Sequence, residues 1–298
     1  MKTTWTAVSL LQDVPLKPFI MKSLDLKIPT QWNQLTRSQL LFVCRLFVRQ
    51  VTEHQFKLLV FLRFTGVKAL PRRIIADQVF YFFRKGRVKF SLSIPELHYF
   101  TSAANYLLSD SQLTRNILPR FRILWRCFHG PANKCYNISF LEFLHAEAVI
   151  YRFHVTRRMS CLRHLCAILY RPAARSSFIR NGQADKREPF NDFVYIKRSR
   201  WFRMLSPAKL YGVYIFYIGC RNALMKAHPR LFSGGTEVSS TPVNPVESIK
   251  KLMFELNQGD VTKNPQIQQM QVWEAFYQLE QMIIQGEEIR KSYSTNKK

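Results

Sequence analysis

Residues 139–155 have the sequence SFLEFLHAEAVIYRFHV. Ser139 precedes Glu142 by three residues, the spacing of a capping box, in which two side chains satisfy free N–H groups at a helix start. Apolar side chains then recur at spacings of three and four, as they do on a helix that packs one face against a core. These side chains are Leu141, Leu144, Ala148, Tyr151 and Val155. The stretch predicts a long helix in the middle of the chain.

Similar patterns on both sides predict further helices. Thr36 and Thr52 each precede a Gln by three residues, so two short antiparallel helices are expected before a stop at Gly66. Further helices are predicted from Ser93, around Leu162 to Leu169, and from Ser206-Pro207 to about Lys226.

β-Structure is predicted at one place. Residues 79–93 are rich in Phe, Tyr and Val around Lys85-Gly86, and apolar and polar side chains alternate over residues 87–92. This pattern is typical of a hairpin with a Gly at its turn. Residues 118–128 fit a strand and a helix equally, residues 173–188 predict a loop, and residues 189–205 predict a basic helix. We therefore expect a mainly α fold: a multi-helix globular body with one small β-hairpin, plus a C-terminal helical tail.

A change in composition divides the chain. Residues 233–245 contain a Gly pair and two Pro, which is typical of a linker between structural units. We expect a loose N-terminal extension over residues 1–28, a basic, mainly helical body over residues 29–232, and a helical tail over residues 246–298.

The charge is distributed unevenly along the chain. The net charge is +26, yet residues 231–298 carry 7 Lys and Arg against 8 Asp and Glu, which leaves 38 basic and 11 acidic residues before them. This excess needs a counter-charge: a nucleic acid, an acidic partner protein or an anionic membrane surface. No apolar run approaches the roughly 18–20 residues of a membrane span, so no span is expected.

Candidate catalytic and metal-binding residues are few. Cys161 and His164 share a helical face, but Cys166 points about 140° away from Cys161, and no second pair follows at a zinc-like spacing. Glu142 and His145 have the spacing used in di-iron bundles, which need a second such pair. We therefore predict no catalytic residue, no cofactor and no metal site, and we expect a protein that is not an enzyme.

Basic and aromatic side chains alternate in residues 195–203. Arg binds phosphate with two hydrogen bonds and aromatic rings stack on bases, so this mixture favours a nucleic-acid surface. In the alternative interpretation, Phe193, Ile196 and Trp201 face a core while the arginines point to water. The candidate nucleic-acid-binding residues are Arg157, Arg158, Lys197, Arg198, Arg200, Trp201 and Arg203.

The predicted tail helix carries a broad apolar face that is too large to leave in water. Either this face binds another protein, by laying a helix into a groove, or it packs on the body and completes the core. We expect a partner-binding tail that can also self-associate. The candidate partner-binding residues are Met270, Trp273, Phe276, Tyr277 and Ile283.

Two groups of motifs carry a resemblance to known families. Pro29-Thr-Gln-Trp32-Asn-Gln-Leu35-Thr36 resembles the opening of small helical proteins from phage structural-gene clusters, including tail-assembly chaperones. The second group is similar to a family encoded in prophages of Bacteroides-type bacteria. It comprises His129-Gly-Pro131, Phe140-Leu-Glu-Phe143, Ala146-Glu147, Ala167-Ile-Leu-Tyr-Arg-Pro172, Arg187-Glu-Pro-Phe190 and Tyr217-Ile-Gly-Cys-Arg-Asn222. The resemblance implies a phage-assembly context and supplies no catalytic residue.

These observations support two hypotheses. The first is a non-enzymatic phage structural or assembly factor that acts through protein contacts, with its basic body meeting an acidic partner. The second is a nucleic-acid-binding protein that serves packaging or replication. Either protein would be found in the cytoplasm of a bacterial host or in a virion.

Overall fold

Helices form most of the described residues, and the predicted mainly α class is confirmed. The computed structural model describes residues 28–75, 78–180, 183–232, 254 and 260–295. The chain divides into two compact units, Met1–Asp110 and Ser111–Lys298.

Three segments predicted from the sequence lie wholly or largely outside the described residues. These are nearly all of the N-terminal extension, the whole linker, and residues 246–259 of the expected tail apart from residue 254.

The smaller unit begins with two helices joined by a short turn. Its helices are α1 (Arg37–Arg49), α2 (Glu53–Thr65) and α3 (Ile94–Ser102). Thr36 and Gln39 form the predicted capping box at the start of α1, whereas the side chain of Thr52 makes no capping hydrogen bond at the start of α2. The stacked rings of Phe47 and Phe56, with 5.0 Å between centroids, join α1 to α2.

A four-stranded antiparallel sheet completes the smaller unit. Its strands are β1 (Lys68–Ala69), β2 (Arg73–Ile75), β3 (Gln78–Lys85) and β4 (Val88–Leu92), and β3 pairs with the other three. The β3–β4 pair is the predicted hairpin, and Gly86 occupies its turn at φ +60°, which glycine adopts without steric cost. Phe83 of β3 packs against Phe61 of α2 in the core of this unit.

The larger unit is built around three helices and two hairpins. The helices are α4 (Phe140–Thr156), α5 (Met159–Leu169) and α7 (Pro207–Ala227), with the short helices α6 (Tyr195–Arg198) and α8 (Pro229–Phe232) beside them. The hairpins are β5 (Arg120–Ile123) with β6 (Arg126–His129), and β7 (Ala173–Arg180) with β8 (Gln183–Arg187). The C-terminal helices are α9 (Asn264–Gln269) and α10 (Val272–Thr295).

The predicted apolar stripe of α4 is wrong. Tyr151 and Val155, assigned to the core face, are 40% and 67% exposed. The buried face contains Phe143, Ala146, Ile150 and Phe153, together with Glu142 and Glu147. Two acidic residues therefore lie on the inner face of the central helix, and their buried partners are described below.

Two further segments differ from the sequence-based expectation. Residues 118–128 resolve as most of the β5–β6 hairpin, and residues 173–188, expected to be a loop, form the β7–β8 hairpin. The basic helix expected over residues 189–205 is broken: only α6 is α-helical, and a 3₁₀ turn, Trp201–Met204, follows it. The two hairpins are joined at their ends, where the backbones of His129 and Arg171 exchange two hydrogen bonds.

The C-terminal helices are part of the larger unit and not a separate tail. The backbone N–H of Phe140, at the start of α4, donates to the carbonyl of Met270 at 2.8 Å, and Val272 N–H donates to Ile138 at 3.1 Å. Phe276 is 2% exposed and packs edge-on against Phe143. The apolar face of α10 therefore completes the core of this unit.

Among the described residues, no helix is long and apolar enough to cross a membrane.

Candidate nucleic-acid interface

An exposed tryptophan marks the tip of the β5–β6 hairpin. Leu124 and Trp125 form its two-residue turn, and Leu124 has φ +52°, a left-handed conformation that is uncommon for a residue other than glycine. This turn leaves the Trp125 side chain 75% exposed. A large ring held in water on a strained turn is unusual, and such positions are enriched at functional sites.

The tip of this hairpin meets the 3₁₀ turn. The ring centroids of Trp125 and Trp201 are 6.0 Å apart, with the planes at 82°. The guanidinium carbon of Arg126 lies 4.7 Å from the ring centroid of Trp201, which is a cation–π contact. Arg126 therefore places a positive charge against Trp201, beside the exposed ring of Trp125.

Three exposed cations extend this surface along residues 197–203. Lys197, Arg200 and Arg203 are exposed, and none has an ion-pair partner within the part of the chain that the structure describes. Because side chains three residues apart eclipse each other in a 3₁₀ turn, Arg200 and Arg203 point to the same side. We define the basic aromatic face as these three cations with Trp125, Arg126 and Trp201.

Arg198 does not belong to this face. Its side chain is buried, donates to the carbonyl of Ala167 at 3.2 Å and pairs with Glu188 at 3.7 Å. Burial lowers its pKa, and the charge of Glu188 only partly offsets this. The prediction of Arg198 as an accessible phosphate ligand is therefore wrong.

The alternative interpretation of the same segment is also wrong. Phe193 and Ile196, which it placed in a core, are 81% and 55% exposed. Phe202 is the fully buried ring of this segment and packs against Phe128, with 5.1 Å between centroids. The segment therefore presents cations and apolar side chains to the outside together.

A groove runs beside Trp201. It has a volume of about 260 Å³. Among the residues that line it are Arg126, Phe128, Pro172, Glu188, Lys197 and Trp201. Arg198 lines it as well, so the groove combines an aromatic wall, three cations and one carboxylate.

The acidic residues of this region lie mainly inside it. Residues 111–230 contain 22 Lys and Arg but five Asp and Glu. Three of these five, Glu142, Glu147 and Asp185, are buried. Three arginines, Arg171, Arg187 and Arg198, are buried as well, so burial removes equal numbers of acidic and basic residues. Of the five acids, only Glu188 and Asp192 are not buried.

Glu142 and Asp185 belong to one buried ion cluster. Arg171 Nη2 donates to Glu142 Oε1 at 3.0 Å, and Arg187 Nη1 lies 3.4 Å from Glu142 Oε2. Arg187 also binds Asp185, with Nη2 and Oδ2 at 2.9 Å. Burial alone would raise the pKa of Glu142, but the two arginines outweigh it and lower that pKa. The cluster ties α4 to the open end of the β7–β8 hairpin, where β7 begins and β8 ends.

Glu147 has a different environment. Tyr217 Oη and Arg221 Nε donate to its two oxygens, each at 2.9 Å. Burial nevertheless raises the pKa of Glu147, because this one arginine, itself 35% exposed, only partly offsets the loss of hydration.

Arg157 and Arg158 are exposed at the junction of α4 and α5. Arg198 bonds to Ala167, close to the other end of α5, so the two sites are separated by about 14 Å of helix rise. The structure therefore does not bring Arg157 and Arg158 together with the basic aromatic face at the 3₁₀ turn.

The candidate metal ligands are used in ordinary packing. Cys161 and Cys166 are buried, and His164 packs edge-on against the ring of Tyr195. His145 contacts Tyr195 as well, and burial lowers the pKa of both histidines. Among the described residues, no group of three His, Cys, Asp or Glu side chains could hold a metal ion.

The candidate partner-binding residues are divided between the core and the surface. Phe276 is buried, and Trp273 is held by a hydrogen bond from Nε1 to the carbonyl of Lys134 at 3.0 Å. Met270 and Ile283 are half-buried, and Tyr277 is 57% exposed. An unpaired apolar face on the tail helix, on which this prediction depended, is therefore not present in the described part of α10.

Sequence reasoning missed Trp125 and Arg126. The strand alternation of Phe121 and Ile123 breaks at this point, and a two-residue interruption between two short alternating runs is the signal of a hairpin turn that could have found them.

No protein-family model matches this chain, and no curated protein and no solved structure gives a significant match.

Proposed function

We propose that the protein binds single-stranded nucleic acid, without catalysis, through the basic aromatic face. The observation that carries the proposal is the exposed Trp125 beside Trp201, among cations that have no described ion-pair partner. A folded protein has little reason to hold a 75% exposed indole on a strained turn unless that ring meets a ligand.

The face has the two parts that single strands require. Lys197, Arg200 and Arg203 offer charge-assisted hydrogen bonds to phosphate oxygens. Trp125 offers a plane for a base, and stacking of this kind contributes about 1–3 kcal/mol per base. Because the bases of a duplex are already stacked and paired, the face favours single strands over duplexes.

The buried acids support the same assignment. Glu142, Glu147 and Asp185 are turned inward, so they contribute little repulsion to a polyanion outside. A surface of this kind attracts phosphates over distances of about one Debye length, roughly 8–10 Å in physiological salt.

A second candidate is the assembly factor that acts through protein contacts. The exposed Phe193 and Ile196, next to Lys197, favour an acidic protein partner with an apolar patch. In a phage or prophage context the two candidates are compatible, since packaging brings assembly proteins and nucleic acid together.

Titration of a fluorescent single-stranded oligonucleotide tests the first candidate. We expect binding by the wild-type protein and weaker binding by the variant Lys197→Gln, Arg200→Gln, Arg203→Gln. Competition by polyglutamate at equal charge separates the candidates: an assembly factor for acidic proteins releases the oligonucleotide readily, whereas a face that stacks bases retains it.

A further inference from the structure

We infer that the groove beside Trp201 selects guanine from a bound single strand, with Glu188 accepting hydrogen bonds from the base. The inference rests on the proposed function and adds a base preference to it. The observation behind it is that a partly exposed acidic residue, Glu188, lies among cations that could bind phosphate.

Glu188 is the exception among the acids of residues 111–230. Three of the others are buried, and Asp192, which is half-buried, is not among the residues that line the groove. Glu188 lines the groove itself, with its side chain 45% exposed, beside Lys197 and Trp201. A carboxylate accepts hydrogen bonds, and a phosphodiester has no donor to offer it, whereas the edge of a base carries N–H donors, so this position in the groove is suited to a base.

The carboxylate is held in place but keeps acceptor capacity. The backbone N–H of Glu188 donates to Pro172 at 2.9 Å, and Arg198, itself anchored to Ala167, lies 3.7 Å from Oε2. Each carboxylate oxygen has two lone pairs, so this single long contact leaves both oxygens able to accept from a ligand.

Guanine is the base whose edge fits a carboxylate. Its Watson–Crick edge carries two adjacent donors, N1–H and the N2 amino group, which match two carboxylate oxygens. The same edge of adenine, cytosine or uracil places an acceptor beside each donor, and that acceptor would face the carboxylate. A good bidentate contact of this kind discriminates by about 1–3 kcal/mol, and charge assistance strengthens it.

The size and walls of the groove agree with one base. The groove, with a volume of about 260 Å³, is large enough to admit one base. Trp201 forms an aromatic wall of the groove, and the guanidinium of Arg126 lies against its ring.

Oligothymidylates with one central guanine, adenine or cytosine test the inference by fluorescence anisotropy. The wild-type protein should bind the guanine oligonucleotide about tenfold more tightly than the others. Glu188→Gln should lose this preference while binding oligothymidylate at least as well as the wild type. The matched control Asp192→Asn removes an equal charge nearby and should leave the guanine preference unchanged.

Modified bases test the same point in the wild-type protein, so the result does not depend on the folding of a variant. An oligonucleotide with inosine, which lacks the N2 amino group, should lose most of the higher affinity that guanine gives. One with 7-deazaguanine, which keeps the Watson–Crick edge, should retain that affinity. Equal binding of all bases by the wild type would overturn the base preference and leave the proposed function standing. Absence of binding to every oligonucleotide would overturn both.

Discussion

Arg171 and Glu142 form an ion pair inside the larger unit, with Nη1 and Oε2 3.0 Å apart and side chains that are 1% and 0% exposed. The pair joins the start of the central helix to the start of the β7–β8 hairpin. Arg187 and Asp185 extend it, so two cations and two anions balance each other away from water. A buried pair of this kind is costly to break, because the remaining charge has no hydration.

The two buried glutamates of α4 should respond differently to neutralisation. Glu142→Gln leaves Arg171 and Arg187 with one anion, and we expect it to lower the free energy of unfolding by about 3–5 kcal/mol. Glu147→Gln should cost less than Glu142→Gln, because Glu147 pairs with one arginine and Arg221, whose side chain is 35% exposed, can turn toward water. Urea denaturation of the two variants at pH 7 checks this, and equal losses would contradict the assignment.

Acid should destabilise the protein through the same cluster. The pKa values of Glu142 and Asp185 are lowered in the folded state from ordinary values of 4.5 and 3.8. Their contribution to stability is therefore complete above about pH 4.5 and is lost as the pH falls through the lowered values. Urea midpoints between pH 7 and pH 3 should fall below about pH 4.5, and Glu142→Gln should flatten this decline. A decline of the same size in Glu142→Gln would show that other groups cause it.

The packing of the C-terminal helix gives a direct test of its role. Phe276 is 2% exposed, whereas its neighbour Tyr277 is 57% exposed. Phe276→Ala should lower the free energy of unfolding by about 3–5 kcal/mol, and Tyr277→Ala should change it by less than about 0.5 kcal/mol. If Phe276→Ala keeps full stability and instead abolishes self-association, α10 is a partner-binding helix after all.

Local signals in the sequence predicted the helices well. The capping residues Thr36, Ser93 and Ser139 and the stop at Gly66 depend on neighbours within four residues, so they can be recognised without the rest of the chain. The buried face of α4 could not be predicted in this way. Glu142 is stable on that face because of Arg171 and Arg187, which are distant in sequence, and a pattern of hydropathy assigns such a residue to the surface.

Contacts between residues that are distant in sequence also explain the errors at the candidate site. Arg198 was expected on the surface, but its guanidinium donates to the carbonyl of Ala167 in α5 and pairs with Glu188. The polar β7–β8 segment was expected to be a loop, because its arginine and aspartate could not be known to pair in the interior. The cations Lys197, Arg200 and Arg203 were placed correctly on the surface, since a charge without a partner stays in water.

Trp125 should contribute to binding and not to folding. Its ring is 75% exposed, so Trp125→Ala should leave the urea midpoint unchanged while weakening single-strand binding about tenfold, the effect of losing one stacked base. Tyr277→Ala, which removes an exposed ring outside the basic aromatic face, serves as the control and should bind normally. A similar loss of affinity in both variants would mean that the face does not include the hairpin tip.

The salt dependence of single-strand binding tests the central claim most directly. In the wild-type protein, the logarithm of the binding constant should fall linearly with the logarithm of the salt concentration, because each phosphate contact releases counterions. Lys197→Gln, Arg200→Gln, Arg203→Gln should reduce this slope by about 2, at roughly 0.7 per contact. The matched variant Arg37→Gln, Arg45→Gln, Arg49→Gln removes three exposed charges from α1 and should keep the wild-type slope. Equal slopes in the two variants, or no binding by the wild type at about 50 mM salt, would contradict a nucleic-acid interface at the basic aromatic face.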